Sequence, residues 1–173
     1  SADFPVTSQA IQTNFRGGPY QEAPAYNHLQ NGSDLFVARL SPEGDQLLGS
    51  TFLGGSQNDG WNKLAFNYGD HQRGELVLTQ NQEVLLTSST ESLQFPGPNN
   101  TVIHRTDSSQ QAVVALLGSQ LQQLHWSTFI GGSGDDAGFN VKSSGTQKAY
   151  VTGATQSNDL PFTDGAFQEN YGG

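Results

Sequence analysis

The chain carries nearly the same string twice. "STFLGGSQNDG" runs from Ser50 to Gly60, and "STFIGGSGDDAG" runs from Ser127 to Gly138. Sliding Ser50 onto Ser127 superposes Ser-Thr-Phe, both glycines and the following Ser, and brings Asp59 onto Asp136. The same shift lays "LFVARL" (Leu35 to Leu40) on "AVVALL" (Ala112 to Leu117). A second element occurs three times: "SADFPVTSQAIQTNF" at the start, "TESLQFP" in the middle and "SNDLPFTDGAFQENY" near the end, with Gln94 where the outer copies have Asp. Self-similarity at a long fixed spacing means that each copy is one supersecondary unit, stacked on its neighbours to bury a shared core.

The prolines that mark the second element are Pro5, Pro96 and Pro161, so the first unit is longer than the second. Residues 1–95 form the first unit, residues 96–160 the second, and residues 161–173 begin a third. Two insertions account for the extra length of the first unit. One is "PYQEAPAYNHLQ" (19–30) and the other is "WNKLAFNYGDHQR" (61–73).

Each unit reads as four short strands. In the first, "DLFVARL" alternates and stops at "SPEGD", whose Pro and Gly suit a tight reversal. "QLLGSTFLGG", "LVLT" and "EVLLTSST" follow, and the second unit repeats the order with "AVVALLG", "LQQLHWSTFI", "FNVKSS" and "KAYVTGAT". "SSQQAVVALLGSQLQQL" has a helical rhythm, but its alignment with "DLFVARL" assigns it to a strand. Four antiparallel strands at a fixed period predict an all-β fold built of β-propeller blades, about two blades plus a partial arm. Two units cannot close a ring, because propellers typically need four or more blades. The expectation is a piece of a larger ring or an open array, with apolar faces and strand edges covered by neighbouring blades or chains.

With "VTGATQSNDLPFTDGAFQENYGG", "SDLFVARLSPEGDQLLGSTFLGGS" and "GGSGDD", the chain resembles the seven-bladed β-propeller (SBBP-type) repeats of bacterial secreted and cell-surface proteins. The resemblance covers most of the chain outside the two insertions and "NNTVIHRTDS". It implies an extracellular, cell-surface location and a structural or adhesive role. The Ser-x-Asp-x-Gly-x-Thr-Trp box of sialidase propellers and the Trp-Asp dipeptide of another propeller class are absent from the sequence.

Charge narrows the partners. Seven Lys and Arg stand against 16 Asp and Glu, a formal net charge of −9, so a phosphate backbone or an anionic bilayer surface is repelled. No run of 18 apolar residues offers a membrane span. The lack of Cys removes thiolate chemistry and disulfides. A start of "SADFPVTSQ" lacks the basic and apolar regions of a signal peptide, and reads as a processed or excised end.

No Gly-x-Ser-x-Gly elbow, His-Glu-x-x-His helix or Walker loop occurs, and "HRTDSS" (His104, Asp107, Ser108) sets three triad residue types together without triad geometry. The expectation is a non-catalytic module. The alternative is part of a carbohydrate-active propeller enzyme, a glycoside hydrolase or lyase, whose catalytic groups lie elsewhere. Carboxylates converging on one pocket would distinguish it.

Two candidate sites remain. Asp59, Asp135 and Asp136 follow the double glycines, where oxygen ligands on a glycine-rich turn suit Ca²⁺. The competing reading is that these side chains cap backbone N–H groups of the turn. No other cofactor is expected. Alternation of strand direction puts the arm before the first strand and the loop after the second at one end of the sheet. That brings Tyr20, Tyr26 and His28 towards Trp61, Tyr68 and His71, a cluster of amphipathic rings suited to a glycan or a surface protein. The competing reading is that the insertions simply pack on each other.

Overall fold

The computed structural model describes residues 2–22, 29–64, 71, 73–97, 109–145 and 148–172. Among them there is no helix. Eight strands occur, each where the sequence places one: β1 (Leu35–Leu40), β2 (Leu47–Leu53), β3 (Glu75–Leu78), β4 (Val84–Thr90), β5 (Gln111–Leu117), β6 (Leu124–Ile130), β7 (Asp136–Ser144) and β8 (Lys148–Thr155). All neighbours pair antiparallel. The fold is all-β, in small open sheets with no closed barrel among the described residues.

The sheets do not coincide with the sequence units. Hydrogen bonding joins β1–β2, then β3–β4–β5–β6, then β7–β8. The one four-stranded sheet therefore takes its first two strands from residues 1–95 and its last two from residues 96–160. Strand β4 leaves the first unit and pairs along its whole length with β5, from Val84↔Leu117 to Thr90↔Gln111. A hairpin edge left bare would expose a row of N–H and C=O groups, and β5 is the next strand in sequence able to cover it.

The repeat is kept in the register of the pairs. Leu35↔Leu53 becomes Ala112↔Ile130 and Leu40↔Leu47 becomes Leu117↔Leu124, with the same bulge before the last pair. Glu75↔Thr87 and Leu78↔Val84 likewise become Asn140↔Thr152 and Ser143↔Ala149, with both strands displaced equally along the sequence.

Side-chain alternation along β4 and β5 then makes two cores. Val84, Leu86, Val113, Ala115 and Leu117 point to one face, where they meet Val37 of β1 and Leu53 of β2. Leu85 and Val114 point to the other, against Val141 of β7. The two hairpins thus cover the two faces of the central sheet. One turn shows how strongly the first core is favoured. Gly44 (φ +75°) sits in the β1–β2 turn, and the equivalent place in the β5–β6 turn is held by Leu121 at φ +59°. A bulky residue in the left-handed region is strained by about 1–2 kcal/mol, but Leu121 is fully buried in the core cluster, which offsets it.

Outside these cores large apolar side chains remain exposed, among them Phe36 and Leu40 on β1, Leu76 and Leu78 on β3, and Tyr150 on β8. The N-terminal segment covers the outer edge of β2, where Phe52 N–H donates to Gln12 O (3.1 Å) and Phe4 lies against Phe36 with ring centroids 4.3 Å apart.

Candidate functional site

The repeated "GGS…D" string folds into a carboxylate clasp, present twice. In the first copy Asp59 is buried, and its Oδ2 accepts the Gly55 N–H (2.7 Å) and the Ser92 hydroxyl (2.9 Å), while Oδ1 accepts the Thr90 hydroxyl. Thr90 Oγ1 in turn accepts the Ser92 N–H at 2.9 Å. In the second copy Asp136 Oδ2 accepts the Gly132 N–H (2.8 Å) and the Ser157 hydroxyl (2.8 Å), and Thr155 Oγ1 accepts the Ser157 N–H (2.9 Å). Each clasp fastens the turn after β2 or β6 to the end of β4 or β8.

Two glycines are needed because of how closely these groups approach. A Cβ on Gly54 would lie 2.5 Å from Asp34 Oδ1 and 2.8 Å from Asp59 Oδ2. On Gly55 it would lie 2.5 Å from the Ser92 Cβ and 2.8 Å from the Gln94 carbonyl oxygen. The double glycine of the repeated string stands where there is no room for side chains.

The preceding residue has the same role in both copies although its identity changes. Asn58 Oδ1 accepts the Ser33 N–H (3.1 Å), and Asp135 Oδ1 accepts the Gln110 N–H (2.8 Å). Ser33 Oγ and Gln110 Nε2 then both donate to the carbonyl oxygen of the clasp aspartate, at 2.9 Å in each case. Asp59, Asp135 and Asp136 are therefore held as caps of backbone N–H groups, as the competing reading of the calcium candidates has it. No cluster of three or more His, Cys, Asp or Glu able to hold a metal occurs among the described residues.

Asp34 faces the other side of Gly54. Its Oδ2 accepts the Arg16 N–H (2.7 Å) and its Oδ1 the Gly17 N–H (3.0 Å), tying down the arm that precedes β1. Burial raises its pKa above the ordinary carboxylate value, against the lowering effect of those two N–H groups. Asp59 is pushed up to about 7, first by burial, with a smaller push from the Asp34 charge, and against the three donors that favour its ionised form.

The sign of the pH dependence follows. An unfolded Asp titrates near about 3.9, so between that pH and about 7 the folded chain holds a proton that the unfolded chain has lost. The stability linked to a neutral Asp59 is complete below about pH 4 and is lost as pH rises through about 7. Thermal melts at steps from pH 4.5 to 8 should show the midpoint falling with pH, and Asp59→Asn should flatten the fall. A midpoint that rises steadily over that range in the wild-type chain would contradict the assignment.

Of the aromatic cluster, Tyr26, His28 and Tyr68 lie outside the described residues, as do His104, Asp107 and Ser108. Of the remaining three aromatic candidates, Trp61 and His71 come together. Trp61 is 4% exposed and stacked on His71, centroids 5.0 Å apart and planes 10° apart. Its neighbour Asn62 fixes His71 from both sides: Asn62 N–H donates to His71 O (2.7 Å), and Asn62 O lies 3.1 Å from His71 Nδ1. Trp61, expected to be offered to a partner, is instead part of the packing, and the residues just before it pair with the end of β4, where Gly60 N–H reaches Ser89 O at 2.8 Å. Tyr20 is 53% exposed. The two insertions do begin at the same end of the sheet, since Asn58 Nδ2 donates to Pro19 O at 3.4 Å.

The second insertion is also locked to the second unit. Buried Gln110 accepts the Lys63 N–H (2.6 Å) and donates to Asn62 Oδ1 (3.0 Å), while Lys63 pairs with Glu91. Sequence reading missed Thr90, Ser92, Thr155, Ser157 and Gln110. The first four were visible as a Thr-x-Ser written once in "STESLQFP" and again in "ATQSNDLP".

Three clefts bear on catalysis. One, of about 490 Å³, lies between β1, β3 and the β5–β6 turn and is lined by Val37, Leu76, Leu78, Val84 and Leu121 among others, with no acidic residue. A second, of about 180 Å³ beside β8, holds Asp136, and a third, of about 380 Å³, holds Glu83 with His125 3.4 Å away. No family model matches the chain, and no curated protein and no solved structure matches it either.

Proposed function

We infer that the chain is a stretch of β-propeller blades serving as a non-catalytic structural and adhesive module of a repetitive bacterial surface protein, working outside the cell. The observation that carries this reading is the duplicated clasp. Two aspartates that could have been reactive are spent on closing turns, and the same register is rebuilt in each copy. A fold rebuilt for repetition suits a scaffold that is extended by adding units. In the three clefts described, carboxylates are spread one to a cleft or absent, which favours this reading over a glycosidase, where a pair must flank one bond.

Partner contact is assigned to the end of the sheet where the two insertions begin, with Tyr20 as its exposed ring. Amphipathic rings on loops suit a sugar face or a protein surface. The test is binding of the purified chain to immobilised bacterial surface polysaccharides and envelope proteins. Saturable binding should weaken at least about tenfold in Tyr20→Ala, about 1.4 kcal/mol for the loss of one anchoring ring, while the melting temperature stays within a degree or two. Binding unaffected by Tyr20→Ala would remove that end from the reading. Turnover of a glycoside by the chain itself would overturn the non-catalytic assignment.

A further inference from the structure

Two open sheet edges fit a pairing pattern that the chain itself contains. Among the described residues, strand β1 has β2 on one side only, and β8 has β7 on one side only. By register, β1 is the counterpart of β5 and β8 is the counterpart of β4. Those counterparts are already paired with each other inside the molecule, from Val84↔Leu117 to Thr90↔Gln111 without a break. The open edge of β8 is therefore the kind of edge that accepts a β1.

We propose that β8 of one copy pairs antiparallel with β1 of a second copy, head to tail, making a four-stranded sheet β7–β8–β1–β2 across the junction. The register is fixed by carrying the β4–β5 pairs over to their counterparts, so that Thr87↔Val114 becomes Thr152 against Val37 of the second copy. Tyr150 then faces Arg39 of the second copy, Val151 faces Ala38 and Gly153 faces Phe36.

Several features of the two edges agree. Tyr150 is 59% exposed, and Phe36 and Leu40 are 57% and 56% exposed, so both edges carry apolar side chains that pairing would cover. The two edges are only lightly blunted: each carries one cation, Arg39 on β1 and Lys148 at the start of β8, but β1 and β8 contain no Pro and the bulge in β1 falls at its last pair. The two edges differ from each other, so the contact is heterologous and repeats along a chain of copies or around a ring. Residues 160–171 repeat residues 4–15 in sequence, and Thr7 and Gln12 bond β2 on the edge away from β1, so the β8–β1 pairing does not use that edge.

The chain has no Cys, which makes the register directly testable. Arg39→Cys and Tyr150→Cys each place a thiol at an exposed position. Mixed under mild oxidation, they should form a disulfide dimer between the two variants, because directly paired residues in a sheet lie within disulfide reach. Tyr150→Cys with Phe36→Cys, which is out of register, should not. Sedimentation of the unmodified chain should show mass rising with concentration. Tyr150→Lys, which sets a cation opposite Arg39, should weaken association about two- to fivefold, and Tyr150→Glu should preserve it. A monomer at every concentration, a disulfide in the mismatched pair, or dimers only between identical variants would each overturn the proposal.

Discussion

Asp59→Ala should lower the unfolding free energy by about 3–5 kcal/mol at pH 5, among the largest losses any single side chain of this protein can produce. Three donors lose their acceptor at once: the Gly55 N–H and the hydroxyls of Thr90 and Ser92. A buried polar group left without a partner costs about 1–3 kcal/mol, and the two hydroxyls recover part of that by turning elsewhere. The loss should be smaller at pH 8, because there the wild-type chain already bears the cost of an ionised carboxylate in a buried place. Asp59→Asn keeps an acceptor for the Gly55 N–H and an amide that the hydroxyls can accept, and should cost far less. Urea unfolding of the three proteins at both pH values checks the whole pattern. An Asp59→Ala chain within about 0.5 kcal/mol of wild type would mean that the clasp does not hold the turn.

Gly55→Ala should be worse for its size, a loss of about 3 kcal/mol or more, or failure to fold. The added Cβ meets the Ser92 Cβ at 2.5 Å and the Gln94 carbonyl oxygen at 2.8 Å, and neither is the free end of a flexible side chain. Relief requires moving the backbone after β4, which breaks the Ser92 bonds to Asp59 and to the Gln57 N–H. Gly44→Ala supplies the contrast. Its φ is +75°, so alanine is strained there, but nothing lies near the new methyl group. A loss of about 1 kcal/mol is expected from that strain alone. Denaturant midpoints for the two variants should therefore be well separated. Equal losses would show that backbone conformation, not crowding, selects the double glycine.

The bonds and the crowding of the clasp explain why one string is written twice while its surroundings drift. The clasp needs a carboxylate, a Thr-x-Ser and two positions without side chains, and it tolerates little else. The residue before the aspartate only has to present an oxygen acceptor, so Asn58 and Asp135 are interchangeable there. Partners of that oxygen vary for the same reason, with Ser33 in one copy and Gln110 in the other.

The sequence by itself determined the strands, the turns and the period. Alternating apolar residues, the Pro and Gly of "SPEGD" and the alignment of one unit on the other located all eight strands, and alignment with "DLFVARL" was enough to reject a helix over β5. These are local properties, or comparisons of one local stretch with another. Tertiary structure decided three things that are not local. It set where a sheet begins: a repeat fixes a period but no origin, so only the hydrogen bonds between β4 and β5 show that the four-stranded sheet straddles residues 1–95 and 96–160. It chose the capping role for Asp59, Asp135 and Asp136, because most of the groups that claim their oxygens come from distant parts of the chain, Ser92 for Asp59, Gln110 for Asp135 and Ser157 for Asp136. And it turned Trp61 inward against His71, since an aromatic ring in a loop is buried or offered according to what the rest of the fold leaves beneath it.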